Sequence, residues 1–223
     1  MTAWSVLCDF DGTITTDDVT DTLLEAFGKP DWRELEDEWL AGRVGSRECL
    51  RRQIACLDAS REELNEVIDS IEVDEFFAMF ADIVTLRGWD LSIVSDGLDY
   101  AIERVLRRHN LPALPFYANR LSRSGERAWR LDFPHQDTTC CSASGVCKCA
   151  FARRARAAGR KVLVIGDGRS DFCVAWCADL VFAKGSLLTH CFDKNLPHIP
   201  ISGFWDAVRI VPVLFEQETA LTF

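Results

Sequence analysis

An α/β fold, a doubly wound parallel sheet with a small all-helical unit inserted after the first strand, is predicted by three observations. Short apolar runs alternate with helical patterns along most of the chain, as in folds built around a parallel sheet. Three of those runs end in carboxylate-bearing turns: Asp9-Phe10-Asp11-Gly12-Thr13, Ser95-Asp96-Gly97 and Gly166-Asp167-Gly168-Arg169-Ser170-Asp171. From Thr15 to Phe76 the strand-like runs disappear and the pattern is helical and acidic, with 18 Asp and Glu against 7 Lys and Arg. The rest of the chain is close to neutral, so this segment reads as a separate unit with its own surface.

Each element has a local reason. Trp4 to Cys8 is an apolar run that meets Asp9 and a glycine-containing turn, which reads as a buried strand. Leu23, Leu24 and Phe27 recur at helical spacing before Gly28-Lys29-Pro30 breaks the segment. Trp32, Leu35, Trp39 and Leu40 continue the pattern. Leu50, Ile54 and Leu57, then Leu64, Val67, Ile68 and Ile71, give two more amphipathic pieces. Four short helices follow, with their Trp and Phe residues expected to form a small core. Beyond them, helix 76–87 leads to a strand from Trp89 to Val94, helix 100–109 to a strand at 116–118, and 120–135 to a β-excursion. A Cys-rich loop at 140–149 opens a basic helix to Gly159; Lys161 to Ile165 is a strand. Helix 171–177, strand 180–183 and helices 187–194 and 203–214 complete the chain. The expected division is residues 1–14 and 77–223 as the α/β core and 15–76 as the helical insert.

Composition narrows the function. The chain has 223 residues and a net charge of −10, with 48% apolar and 27% charged residues, ordinary for a globular protein. Net acidity argues against nucleic acid, which needs a basic stripe. No run approaches the roughly 18 apolar residues of a membrane helix. Ala3 to Cys8 is too short for the core of a signal peptide. A cytoplasmic location is the expectation, with no membrane or nucleic-acid partner; monomer and homodimer stay equally open. Ten Cys fall short of the roughly 8–10% of a disulfide scaffold, which points to reduced thiols.

In an open α/β sheet, ligands bind outside the carboxyl ends of the strands, so the three turns should converge on one crevice. Asp and Gly also favour strand-to-helix turns as simple N-caps, but three such turns supplying five carboxylates are poorly explained that way. Like charges a few ångströms apart need a cation between them. Hard oxygen donors with no histidine nearby point to Mg²⁺. A phosphate drawn to that cation would sit beside one carboxylate able to attack it and another able to move its protons.

Asp9-Phe10-Asp11-Gly12-Thr13, a later Ser at a strand end, a Lys, and Gly166-Asp167-Gly168-x-x-Asp171 in that order resemble the haloacid dehalogenase-like phosphatases across nearly the whole chain. A helical insertion directly after the first motif is similar to the subgroup containing phosphoserine phosphatase, where it caps the site. Phe133-Pro134-His135, then Cys140-Cys141 and Gly145-Val146-Cys147-Lys148, resemble the 2-hydroxy-3-keto-5-methylthiopentenyl-1-phosphate phosphatase group. The resemblance implies that Asp9 is the nucleophile and Asp11 the general acid and base. It implies that Ser95, with the N–H of Asp96 or Gly97, holds phosphate oxygens, and that Lys148 neutralises the transferring group. Mg²⁺ would be held by Asp9, the Asp11 carbonyl and Asp167, with Asp171 supporting its water shell or Lys148. A small phosphorylated metabolite is the implied substrate. Phosphoserine, a phosphotransfer reaction and a non-catalytic binding module are the rival readings.

His135 and Asp137 are candidate substrate contacts. Thr16, Asp17 and Asp18 either line the entrance or cap a helix. Cys140, Cys141, Cys147 and Cys149 have poor spacing for zinc. They are expected as reduced thiols, with a zinc site or a disulfide from Cys140 or Cys141 to Cys147 as alternatives.

Overall fold

The computed structural model describes residues 3–111 and 113–220, with side chains to residue 214. Seven strands make one sheet in the order β4-β3-β2-β1-β5-β6-β7. They are β1 (Trp4–Cys8), β2 (Asp90–Leu98), β3 (Phe116–Arg123), β4 (Trp129–Asp132), β5 (Lys161–Gly166), β6 (Leu180–Ala183) and β7 (His198–Pro200). All neighbours are parallel except β3 and β4, which form an antiparallel hairpin. The sheet is the expected doubly wound parallel one, with this hairpin at its edge. The β-excursion is the second half of a longer β3 followed by β4, whose tight connection can only reverse direction. The sequence reading also lacked β7, a three-residue edge strand ending in Pro200.

β1 is apolar without alternation because it is covered on both faces. Val6 and Cys8 join one apolar cluster, and Leu7 joins another on the opposite face. β5 divides in the same way, with Leu163 and Ile165 on the first face and Val162 and Val164 on the second. Helices α5 (Phe77–Leu86), α6 (Asp99–Arg108) and α10 (Phe204–Ala220) cover the first face. Helices α7 (Lys148–Ala157), α8 (Phe172–Ala175) and α9 (Gly185–Asp193) cover the second.

Between β1 and α5 lie the four expected helices, α1 (Val19–Phe27), α2 (Trp32–Leu40), α3 (Ser46–Ala55) and α4 (Arg61–Asp69). α1 starts at Asp18, whose carboxylate accepts the Asp21 N–H at 2.9 Å. α4 starts with a reciprocal box, Ser60 accepting from the Glu63 N–H while the Glu63 carboxylate accepts the Ser60 N–H. Their interior is not a separate core as the sequence suggested. Leu23, Leu24, Trp32, Ile54, Leu64 and Ile68 belong to the same cluster as the first face of the sheet. The β3–β4 hairpin carries this continuity: the Trp129 indole N–H donates to the Ala59 carbonyl at 2.9 Å, and the Ala59 N–H to Arg127 O at 3.2 Å. Among the described residues, no helix is long and apolar enough to cross a membrane.

Candidate active site

The carboxyl ends of β1, β2 and β5 meet at one cavity of about 210 Å³, closed on the far side by α1, α2 and α3. Asp9 and Asp11 come from the turn after β1, which needs a left-handed residue at Gly12 (φ +62°). A side chain there would also press on the Asp167 carboxylate, so glycine is required twice over. Ser95, Asp96 and Gly97 arrive by a different device. The β2–β3 register shifts between Val94 and Leu98, which frees these three residues from regular pairing and turns them to the cavity. Gly97 leaves room for the Asp11 carboxylate, which a β-carbon would displace.

Lys148 is the first residue of α7 and is 5% exposed. Its ammonium lies 2.5 Å from Asp9 Oδ2 and 2.6 Å from Asp171 Oδ1. Burial alone would drive it neutral. The Asp171 and Asp9 charges reverse that, and its pKa is raised above the ordinary lysine value. Asp9, Asp167 and Asp171 each present a carboxylate oxygen within 4.8 Å of the others. Thr13 Oγ donates to Asp167 Oδ1 at 2.7 Å and fixes that side chain. Burial and then the Asp9 charge push Asp167 above the usual carboxylate range.

Asp11 stands apart from this trio, accepting the Val19 N–H at 3.0 Å and the Ser95 hydroxyl at 3.3 Å. Burial pushes its carboxyl well above the ordinary range, and the Asp18 and Asp9 charges push the same way. The two hydrogen bonds do not offset them. Asp11 therefore holds a proton more readily than a free carboxylate, the state a general acid requires.

Most of the expected site residues converge: Asp9, Asp11, Ser95, Asp96, Gly97 and Asp167 line the cavity, with Lys148 and Asp171 directly behind Asp9. His135 is not brought there. Its ring meets Tyr117 edge-on at 5.4 Å and Phe151 at 6.2 Å, away from the cavity lining, because β4 leads the chain outward before it returns. Asp137 pairs with Arg153 at 2.7 Å on the surface. Asp18 lines the cavity and also caps α1, so both readings of it hold, whereas Thr16 and Asp17 stay outside the lining. The Asp96 carboxylate is taken up structurally. It accepts the Val146 N–H at 2.9 Å and the Ser46 hydroxyl at 2.5 Å, which ties the Lys148 loop and α3 to the end of β2.

Of the four loop cysteines, Cys140, Cys147 and Cys149 are free thiols as expected, and Cys141 alone differs. Cys141 is paired with Cys173 of α8, 32 residues away, and not with Cys147. Among the described residues the acidic trio is the only group placed to share a metal ion, and the four loop cysteines are not gathered into such a group.

Ser170 was missed. Its hydroxyl donates to Asp9 Oδ2 and accepts from Lys148 Nζ, both at 3.1 Å, bridging the two. Its place inside Gly-Asp-Gly-x-x-Asp was the available signal. The helical wall was missed as well: Asp21, Glu36, Trp39 and Gln53 line the cavity, and the Arg169 guanidinium lies 5.5 Å over the Trp39 ring across its mouth. No local motif marks these, because they come together only through packing.

On that wall, burial raises Asp18 to about 7, helped by the Asp21 charge, and raises Asp21 to about 6, helped by Glu36 and Glu25. Asp18 is solvent-exposed where it faces the cavity, so water screens much of the repulsion. A carboxyl raised in the folded state costs stability as pH climbs from about 4 in the unfolded chain through its folded value. Asp18→Asn keeps the helix N-cap and cannot ionise. Its expected gain at pH 8, without added metal, is about 1 kcal/mol after screening, or a few degrees in Tm. At pH 4 the two proteins should melt together. Thermal unfolding at both pH values checks this, and an equal Tm at pH 8 would refute the repulsion.

Residues 6–175 match the family model of haloacid dehalogenase-like hydrolases, and the chain belongs to that family. It is 33% identical over 204 residues to the 2-hydroxy-3-keto-5-methylthiopentenyl-1-phosphate phosphatase of an Exiguobacterium species, covering 90% of this chain and 94% of that one. It is 36% identical over 209 residues to the protein of the same name from Geobacillus kaustophilus, covering 91% and 93%. The fold is similar to that of a phosphoserine phosphatase solved as a phospho-aspartyl intermediate analogue. The TM-score is 0.71 at 17% identity, over 94% of this chain and 99% of that one.

Proposed function

We propose that the protein is a Mg²⁺-dependent phosphomonoester hydrolase working through an aspartyl phosphate on Asp9. Its proposed substrate is a small keto-sugar-type phosphate such as 2-hydroxy-3-keto-5-methylthiopentenyl-1-phosphate, the compound in the relatives' name. The observation that carries this is Asp9 at the cavity floor, clamped by buried Lys148, beside an Asp11 biased towards its protonated form.

Asp9 attacks phosphorus as Asp11 gives its proton to the departing ester oxygen, so an Asp9–phosphorus bond forms as the ester bond breaks. Water then attacks the phosphorus and gives its proton to Asp11, and the bond to Asp9 breaks. The Ser95 hydroxyl, with the N–H of Asp96 or Gly97, holds phosphoryl oxygens. Lys148 offsets charge on Asp9 and the transferring group, while Ser170 keeps the two in register. The three oxygen donors of Asp9, Asp167 and Asp171, with the Asp11 carbonyl, suit Mg²⁺, which when bound would neutralise the trio and the phosphoryl oxygens. Residues 15–76 act as a cap that excludes bulk water and macromolecules, over a core of residues 1–14 and 77–223.

A screen of phosphorylated metabolites, phosphoserine among them, reading released phosphate with Mg²⁺ and again with a chelator, tests the proposal. No phosphate release from any small ester by folded protein with Mg²⁺ bound would overturn it. Asp11→Asn sharpens the test. Loss of the general acid should slow an alkyl phosphate by roughly 10²–10⁴-fold and an activated aryl phosphate, whose leaving group needs no proton, far less. Equal losses on both would remove Asp11 from the acid role.

A further inference from the structure

Six of the ten cysteines, Cys140, Cys141, Cys147, Cys149, Cys173 and Cys177, crowd around α7 and α8, on the side of the sheet that carries Lys148. They are not equivalent. Burial pushes Cys147 up, and Cys149 to about 12, which makes both poor nucleophiles. Cys141 is exposed at the turn of the loop between β4 and α7, and its partner Cys173 is half-buried in α8. An accessible thiol beside a sheltered one is the arrangement that thiol–disulfide exchange needs.

The two segments that this pair joins both reach the active site. Cys173 lies two residues beyond Asp171 and three beyond Ser170, which hold Lys148. Cys141 lies seven residues before Lys148, in a loop whose Val146 N–H donates to Asp96. That loop is also where the helical insert rests on the core. The Arg47 N–H donates to Ala143 O at 3.0 Å, and the Arg47 guanidinium to Gln136 at 2.7 Å. Gly45 packs so closely on Ala143 that a β-carbon would collide with it. With the loop bonded to α8, α3 can leave the cavity rim only by breaking these contacts. With the loop free, it can move along with α3.

We propose that Cys141 and Cys173 are a redox modification site, oxidised by low-molecular-weight disulfides, that controls how readily the insert opens over the active site. The Cys141 thiolate attacks one sulfur of the small disulfide, breaking its S–S bond and releasing one small thiol. The Cys173 thiolate then attacks Cys141 Sγ and displaces the second. Two cysteine thiols lose two electrons to the small disulfide, and their two protons end on the two thiols released. The kinetic half of this proposal rests on the phosphatase reading; the chemical half does not.

The test equilibrates the full-length protein with oxidised or reduced glutathione, blocks free thiols and maps linkages by non-reducing peptide mass spectrometry. A Cys141–Cys173 link is expected in the oxidised sample, together with slower hydrogen exchange in α3 and the 137–147 loop. With opening slowed, kcat and KM should fall together in the oxidised enzyme, by roughly three- to tenfold, and recover with dithiothreitol. Cys141→Ser and Cys173→Ser should stay at the reduced values in both buffers, while Cys140→Ser should keep the response. A link mapped to other cysteines, or identical exchange in both states, would overturn the proposal even if no phosphate ester is turned over. If one is, a redox response that survives Cys141→Ser overturns it too.

Discussion

Asp9→Asn is expected to remove turnover, by at least ~10⁴-fold or about 5 kcal/mol of barrier, while the protein stays folded. The Phe10 N–H that donates to Asp9 Oδ1 at 2.8 Å can still be accepted by an Asn oxygen, so the turn after β1 survives. What is lost is the anion facing Lys148 and Ser170. An amide presents a nitrogen there that is no nucleophile. Removing one of three carboxylates held within 4.8 Å also relieves repulsion, so stability should not fall with activity. Phosphate release and circular dichroism read the two effects separately. Mass spectrometry of quenched wild type should show a phosphoryl adduct on Asp9 that the variant lacks. Near-normal turnover by Asp9→Asn would exclude a covalent route through this residue.

Lys148→Ala is expected to cost both activity and stability. Two carboxylates, Asp9 and Asp171, depend on one buried ammonium, and removing it leaves them desolvated without a partner. Breaking a buried pair in this way typically costs about 3–5 kcal/mol, and at ~2–4 °C per kcal/mol for a chain of this size the fall in Tm should be large. A second variant separates the two roles. Lys148→Met with Asp171→Asn removes charges on both sides and should recover much of the lost stability but none of the lost turnover. Recovery of turnover with stability would show that Lys148 serves the fold alone.

The sequence made the chemical floor of the site legible because strand ends leave a local signature. An apolar run that stops at Asp9, Ser95 or Asp167 identifies residue and position together, and the parallel topology then says that these ends meet. Lys148 was readable only through its context after Gly145 and Val146, since a lysine at a helix start is usually at the surface. The walls were not legible. Glu36, Trp39 and Gln53 look like any acidic amphipathic helix until α2 and α3 are placed over β1 and β2. His135 shows the reverse error: its neighbourhood in sequence pointed to the cavity, whereas the excursion through β4 carries it to the aromatic group of Tyr117 and Phe151. The pairing of Cys141 with Cys173 joins segments 32 residues apart, beyond anything cysteine spacing can indicate.

The shared interior of α1–α4 and the first face of the sheet limits how this enzyme can be re-engineered. The insert is not a separable body that can be cut away. Leu23, Ile54, Leu64 and Ile68 lie in one apolar body with Phe10, Ile14, Phe77 and Phe80. A chain trimmed of residues 15–76 would present that floor to water as a sticky patch of the kind that drives aggregation. Grafting a foreign lid to change substrate preference would require the donor to supply a matching underside, including a perch for Trp129 and Arg127. Point changes at Asp21, Glu36, Trp39 or Gln53, which face the cavity and leave that joint intact, are the more tractable way to retune what the site accepts.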